Sequence, residues 1–320
     1  MDSRLLNLIK DYQNSVRNAV ILMYRSGVQM PYSASAWQRM DIPGTGVLES
    51  GAGYLKHGFG CAVELKSGKV DFDFGANGEI DGFDLWRLVQ FANGIWNDYG
   101  FNSCGEVEEL FDISKDNSEF FQDGNLYYLG NGRRELAVDV DSRLSGDLLP
   151  TASQDQVLTL YTHYFLAADL MFKSYKKLDA KWQVSNRLSR ASTIQARVYF
   201  FTWLGYLGVI CEAITKSLNL RKVLIGERPR SFETLLPISD KLNSVIKANS
   251  DPLRKFRNNV FHLRQNHDEI RNFFSDGARR LEWAEDIHVT LDGFFSQYRV
   301  CCEVHYVLNH RLGELDSRNR

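Results

Sequence analysis

Long apolar runs, a disulfide framework and the signature loops of nucleotide or metal enzymes are all missing from this 320-residue chain. The longest uncharged apolar stretch runs from Val198 to Cys211, VYFFTWLGYLGVIC. At 14 residues it falls short of the roughly 18–20 needed to span a bilayer, so it predicts a buried core helix and no membrane association. The five cysteines, Cys61, Cys104, Cys211, Cys301 and Cys302, are odd in number, two are adjacent and none forms C-x-x-C. Such a set makes a poor disulfide framework and a poor zinc site, and predicts reduced thiols in a cytoplasmic protein. Asp2 and Arg4 precede a helical pattern rather than an uninterrupted apolar run, which excludes a signal peptide there. P-loop, H-E-x-x-H and G-x-S-x-G patterns are absent, and Gly44, Gly46, Gly51 and Gly53 do not complete G-x-G-x-x-G after a strand. No cofactor is expected. Neither an internal repeat nor a low-complexity tract is present.

Net charge is also lacking, at −2, but only on average. Residues 1–150 hold 13 Lys and Arg against 22 Asp and Glu, a net −9, while residues 151–320 carry a net +7. Eighteen of the 24 glycines lie in the first part. An acidic, Gly-rich half is joined to a basic, Gly-poor half, and such asymmetry implies different partners.

The periodicities divide at the same place. Leu5, Leu6, Ile9, Val16, Val20, Ile21 and Tyr24 recur three or four apart and predict a helix over 3–26 that Gly27 stops. Residues 31–53 read as loop. Cys61, Val63 and Leu65, then Val70, Phe72 and Phe74, alternate with polar neighbours. With Lys66–Lys69 and Asn77-Gly78 as turns, they predict a three-stranded antiparallel meander over about 58–82. Asp84 caps a helix with an apolar stripe from Leu85 to Tyr99. A short helix from Glu106 and a hairpin over 126–136 complete an α+β domain, residues 1–149. After Pro150 the strand signals stop. Helical segments are expected at 154–178, 189–219, 231–248, 251–263 and 277–311, with caps at Ser153, Ser231, Ser250 and Gly277. They predict an all-α bundle of four or five helices over 150–312, followed by a disordered tail, 313–320.

One of these segments, Leu253 to His262, contains Arg257-Asn258-x-x-x-His262. An arginine and a histidine suit metal-free cleavage of RNA. The histidine moves a proton near neutral pH, the arginine holds the phosphate as charge builds, and RNA supplies its own 2′-hydroxyl. On one straight helix the two positions lie about 140° apart. They meet only if the helix ends or bends near His262, or if copies from two chains face each other.

This stretch resembles the HEPN family, small helical-bundle domains of prokaryotic toxin and antiviral systems marked by Arg-x(4–6)-His, commonly with Asn after the Arg. The following His267 to Phe274, and a final helix with Trp283, Ile287, His288, Phe294 and Phe295, are similar to that family too. The resemblance covers about residues 151–311. It implies a dimeric bundle whose Arg–His pairs meet in a cleft that cuts RNA, leaving a 2′,3′-cyclic phosphate. Arg257 would then contact the scissile phosphate, His262 would act as general acid or base, and Asn258 would orient a phosphate or the partner motif. Glu212, the only acid between Arg197 and Lys216, is the candidate for a polar residue on an earlier core helix, or else a solvated position. Arg254, Lys255, Arg264 and Arg271 would hold the RNA backbone, or form a plain solvated basic face. Arg264 stands where some relatives carry a tyrosine that a partner nucleotidyltransferase modifies, so that control is not expected.

In the acidic half, His57-Gly58-Phe59-Gly60, Val70 to Gly75 and Asp81 to Leu88 resemble an uncharacterised bacterial domain family with the pattern H-G-x-G…V-D-F-D-F-G…D-G-F-D-x-W-R-L. No activity comes with that resemblance. His57, Asp71, Asp73, Asp81, Asp84 and Arg87 form a candidate functional surface for a cation or a basic partner. The ordinary alternative is a solvent-facing acidic strand with an N-cap at Asp84 and an Asp–Arg87 pair. As a calcium loop the run fails, since Gly75 takes a ligand position and the twelfth place lacks Glu. Two functions follow as expectations. One is an endoribonuclease effector of a toxin or anti-phage system, a homodimer acting on RNA, whose acidic half senses a protein trigger, antitoxin or phage component. The other is a non-catalytic immunity or antitoxin protein whose helical half only dimerises.

Overall fold

The computed structural model describes residues 1–130, 133–262, 268–275 and 278–315. The chain forms two compact units, Met1–Arg143 with the stretch from Tyr306 onward, and Leu144–His305. The first unit thus takes in the chain on both sides of the second. Leu312–Glu314 makes a 3-10 turn with Gly313 and Glu314 buried, where a tail from 313 was expected.

The first unit opens with helix α1, Ser3–Arg25. Asp2 caps it by accepting from the Arg4 N–H at 2.7 Å. Leu5, Leu8, Ile9, Tyr12, Val16 and Val20 are fully buried along one stripe, and each aliphatic side chain there gains about 1.5–3 kcal/mol from leaving water. The segment read as loop holds a short helix α2, Ala34–Arg39, capped by Ser33, and a strand. The sheet is an antiparallel meander of four strands, β1 Thr45–Val47, β2 Gly53–His57, β3 Gly60–Leu65 and β4 Gly68–Asp73, in that spatial order. The Lys66–Lys69 turn joins β3 to β4 as expected. Asn77-Gly78 does not close a hairpin, because Glu79 accepts from both the backbone and side-chain N–H groups of Asn77. The meander is therefore extended on its N-terminal side rather than beyond residue 74. Val70 and Phe72 are buried while Asp71 and Asp73 alternate onto the other face.

Asp84 caps helix α3, Leu85–Ala92. The apolar stripe was expected to continue to Tyr99, but Gly94 at φ +87° ends the helix, and Trp96–Tyr99 form a 3-10 turn. Helix α4 is Cys104–Asp116, and the hairpin falls at β5 Phe120–Asp123 and β6 Leu126–Leu129, short of the expected 126–136.

The second unit is built from helices among its described residues. Helix α5, Gln156–Leu160, runs through a π turn at Tyr161–Phe165 into α6, Leu166–Ser185. Helix α7, Arg190–Glu212, ends in a second π turn, Ala213–Ser217. Two unexpected short helices, α8 Leu220–Gly226 and α10 Asp268–Phe274, flank the long α9, Leu236–Phe261. The last helix, α11, is Ala278–Leu308. The segment expected at 231–248 splits into a 3-10 turn, Arg230–Leu235, in which Ser231 is not the cap, and the first arm of α9. The segment expected at 251–263 is the second arm. The arms meet at a break at Asn249 (φ −138°, ψ 25°), after which Pro252 occupies the first turn of the second arm, where its missing N–H costs no hydrogen bond. Trp203, Leu204, Leu207, Leu253, Phe256, Ile287, Phe294 and Tyr298 build the core. By length and composition Arg190–Ser217 is the one helix among the described residues able to cross a membrane, and 44% of its apolar window is buried in the protein. The expected core helix is thus partial: Trp203 to Cys211 pack inward, while Ile194 and Val198 are exposed.

Candidate functional site

In the basic half the break at Asn249 gives the second arm of α9 its own course along α7. The two helices approach closely because α7 offers Gly205 and Gly208. A Cβ on Gly205 would lie 2.4 Å from the Phe261 ring, and one on Gly208 would lie 3.2 Å from the Arg257 Cβ. α9 then stops at Phe261. His262 is extended (φ −116°, ψ 137°), and its N–H donates to the Asn258 carbonyl at 3.2 Å. The helix thus ends at His262, while that N–H keeps the last helical bond.

Arg257 sits at the centre of a polar group. Its Nε and Nη2 both donate to Asn258 Oδ1, at 3.1 and 2.7 Å, and Nη1 donates to Glu212. Lys216 Nζ holds the other Glu212 oxygen at 2.7 Å. The Lys216 hydrogen bond first, and the Arg257 charge after it, keep the Glu212 carboxyl below the usual glutamate range. The Glu212 side chain is half-buried between Arg257 and Lys216. The cleft beside this group has a volume of about 300 Å³ and is lined by Gly208, Glu212, Thr215, Lys216, Asp251 and Arg254. His262 is exposed, and its ring forms no hydrogen bond among the described residues. Chemically, a guanidinium fork suits oxygen anions, and here Glu212 supplies one of them.

The other basic residues carry their own counter-charges. Arg254 and Lys255 both pair with Asp251, at 2.6 and 3.5 Å, and Arg271 pairs with Asp268 at 3.5 Å. Each is a solvent-exposed pair within one helix, of the kind that contributes little to stability. Arg264 and Gly277 lie outside the described residues.

Two buried groups in this unit have no counterpart among the expected site residues. The Trp203 indole N–H donates to His288 Nδ1 at 3.2 Å, leaving the ring proton on Nε2, 3.3 Å from Asp169 Oδ1. Burial between Phe165, Phe172 and Trp203 lowers the His288 pKa. In the second group, Arg228 donates from Nε to Tyr298 Oη (2.6 Å) and from Nη2 to Asp155 Oδ1 (3.2 Å), while Tyr298 donates to Asp155 Oδ2 (2.7 Å). Asp155 also caps α5, accepting from the Val157 N–H. No local pattern announces either group, since their members lie far apart in sequence. Lys216 was legible, four residues after Glu212 on one helix face.

In the acidic half, Arg87 gathers three carboxylates. Its Nε contacts Asp71 at 2.8 Å, Nη2 contacts Asp73 at 3.0 Å, and Nη1 contacts Asp84. His57 lies alongside, with Nε2 3.4 Å from Asp71 and Nδ1 3.8 Å from Asp73. Asp84 keeps its capping role through the Arg87 N–H (2.9 Å). Gly60 makes the arrangement possible, since a Cβ there would lie 1.8 Å from the Phe72 carbonyl and 2.5 Å from Asp73 Oδ1. Burial raises the Asp73 pKa. It pushes Asp71 the same way, but hydrogen bonds from His57 and Arg87 bring Asp71 below its ordinary value. Asp81 stands apart. Its carbonyl accepts from Gln13 at 2.6 Å, and burial raises its carboxyl pKa. Among the described residues no group of three or more His, Cys, Asp or Glu is arranged to hold a metal. The centre of the carboxylate group is filled by a guanidinium.

Residues 5–129 match a family profile described as a domain of unknown function (DUF6896). The match spans less than half of the chain and contains the whole His57–Arg87 group. No curated protein and no solved structure matches the chain.

Proposed function

We propose that the second unit is a HEPN-like bundle that cuts RNA without a metal ion. The observation that supports this reading best is the convergence on Arg257 of Asn258 and of Glu212, a residue 45 positions earlier, beside a helix end at His262. In the reaction the RNA 2′-oxygen attacks the adjacent phosphorus as its proton passes to a base. The phosphorus–O5′ bond breaks, and the 5′-oxygen takes up a proton from an acid. The products are a 2′,3′-cyclic phosphate and a 5′-hydroxyl. His262 serves the proton transfers, and Arg257 stabilises the charge on the phosphate, a role in which a single donor is worth roughly 10²–10³ in rate. Glu212, anchored by Lys216, positions the guanidinium until phosphate replaces it. Pairs from two protomers of a homodimer complete the cleft. We place the protein in the cytoplasm as an effector of a toxin or anti-phage system, with the acidic unit responding to a protein trigger.

The test compares wild type with Arg257→Ala and His262→Ala, by growth on induction and by incubation of purified protein with total RNA, with and without EDTA. Wild type is expected to arrest growth and to cut RNA equally in EDTA, leaving cyclic-phosphate ends; both variants lose at least a hundredfold in cleavage. Intact RNA with all three proteins would refute the nuclease and leave the non-catalytic binding role.

A further inference from the structure

The first unit holds a cleft of about 750 Å³, most of whose lining comes from the segment 31–53 that the sequence marks only as loop. Strand β1 forms one wall and is an edge of the sheet. Its pairing with β2 fixes the direction of every main-chain group. The Leu48 N–H donates to Ala52, and the Gly44 carbonyl accepts from Lys56, so the even-numbered residues 44, 46 and 48 turn toward β2. By the alternation of an antiparallel ladder, the N–H and C=O of Thr45 and Val47 point outward. Neither residue has a further hydrogen bond among the described residues, and Val47 is 76% exposed. The opposite edge of the sheet is managed differently: on β4 the Asp71 carbonyl accepts from the Tyr12 hydroxyl at 2.8 Å.

Natural sheets cover or blunt open edges. Here the edge borders a cleft with apolar walls, contributed by Val28, Met40, Ile42, Leu48 and Tyr54. Asp41, also in the lining, is exposed and has no ion-pair partner among the described residues. We propose that this cleft binds an extended peptide segment of a partner protein, added as a fifth strand along β1. Its main chain pairs with Thr45 and Val47. Alternate apolar side chains enter the cleft, and a Lys or Arg side chain meets Asp41. Main-chain pairing of this kind gives affinity, while the pockets for every second side chain give selectivity. The inference is independent of any nuclease activity, because every residue it uses lies in the first unit.

The test uses a phage-displayed library of random heptapeptides panned against the full chain. Selected sequences are resynthesised, with a twin of each N-methylated at alternate amides. Enriched peptides are expected to carry apolar residues at every second position, with a Lys or Arg at one position of that same face, and to bind the wild type. The N-methylated twins should bind at least tenfold more weakly, as they cannot donate to the edge. Val47→Pro removes an outward N–H that β2 does not use, and should cause the same loss. Asp41→Asn should weaken only peptides that carry a basic residue. Equal binding of the methylated twins to the wild type overturns the proposal without reliance on any variant. So does a library that yields no wild-type binders. Self-association that Val47→Pro abolishes and selected peptides fail to compete would also overturn it, by assigning the edge to a second copy of the chain.

Discussion

Replacing Arg87 by methionine should destabilise the first unit in a manner that depends on pH. The side chain is 14% exposed, and Asp71, Asp73 and Asp84 around it are 19–22% exposed. At an effective dielectric of about 20, each charge pair near 4 Å is worth about 4 kcal/mol before desolvation is counted. Much of that offsets the cost of burying four charges. What remains on deleting one partner of such a group is typically about 3–5 kcal/mol, because the surviving charges keep their burial and lose their counter-ion. Methionine conserves much of the volume, so the loss is electrostatic rather than a cavity. The three carboxylates then face one another, and their folded-state pKa values rise above the unfolded ones. The folded variant binds protons that its unfolded chain releases, so its deficit is full at pH 7.5 and shrinks as pH falls through the raised values. The wild type runs the other way at Asp71. That carboxyl lies below its ordinary pKa, and its contribution is present at neutral pH and lost on acidification. Hydrogen–deuterium exchange of peptides from β3 and β4, read at pH 7.5 and pH 5.0 after correction for intrinsic rates, isolates this unit from the other. The deficit should be about 3–5 kcal/mol at the higher pH and at least about 1.4 kcal/mol smaller at the lower, one pKa unit's worth. A deficit under 1 kcal/mol, or one independent of pH, would refute the reasoning.

In the second unit, Arg228→Met leaves Asp155 and Tyr298 buried without their cation. It should cost about 3–5 kcal/mol by urea unfolding, whereas a loss below 1 kcal/mol would mean that Tyr298 alone satisfies Asp155. His288 has a folded pKa below its unfolded value, so the folded state binds fewer protons. Stability should therefore fall as pH drops through about 6.5, and His288→Phe should flatten that slope between pH 7 and 5 in thermal melts. Gly205→Ala places a methyl against the Phe261 ring and should cost about 1–3 kcal/mol. An Ala196→Gly control, earlier on the same helix, should lose only the helix-propensity difference of about 1 kcal/mol.

The elements legible from sequence were those whose signals are local. Asp2, Leu5 and Ile9 declare α1, and Asp84 caps α3 because an Asx side chain before an apolar stripe has few other uses. The Arg257–His262 spacing carried a condition on the backbone, a helix end, and the end is there. Other elements were hidden by competition between signals. Gly46 and Gly53 suggested loop, yet β1 and β2 form because Gly46 lies against the Tyr54 ring, 2.5 Å from where its Cβ would stand. The stripe through Tyr99 continued in helical register, but Asn93-Gly94 interrupted the backbone. Asp251-Pro252 marked a helix start, and the backbone does leave helical geometry just before it, at Asn249. Three of the basic residues assigned to RNA were read without their acids, although Asp251 and Asp268 stand three or four places before Arg254, Lys255 and Arg271. The Arg87 group was only half legible. Its acids sat in plain alternation, but the arginine at their centre arrives from a different element.

The burial of Gly313 and Glu314 in the first unit has a consequence for how the chain acquires its structure. The Arg311 guanidinium, fully buried and bonded to Glu314 at 3.0 Å, belongs to a unit whose first part, Met1–Arg143, emerges more than 160 positions earlier. In the order of translation, residues 144–305 are a long insertion between the two pieces of that unit. The helical unit is therefore free to fold on the ribosome while the sheet-bearing unit still awaits its last turn.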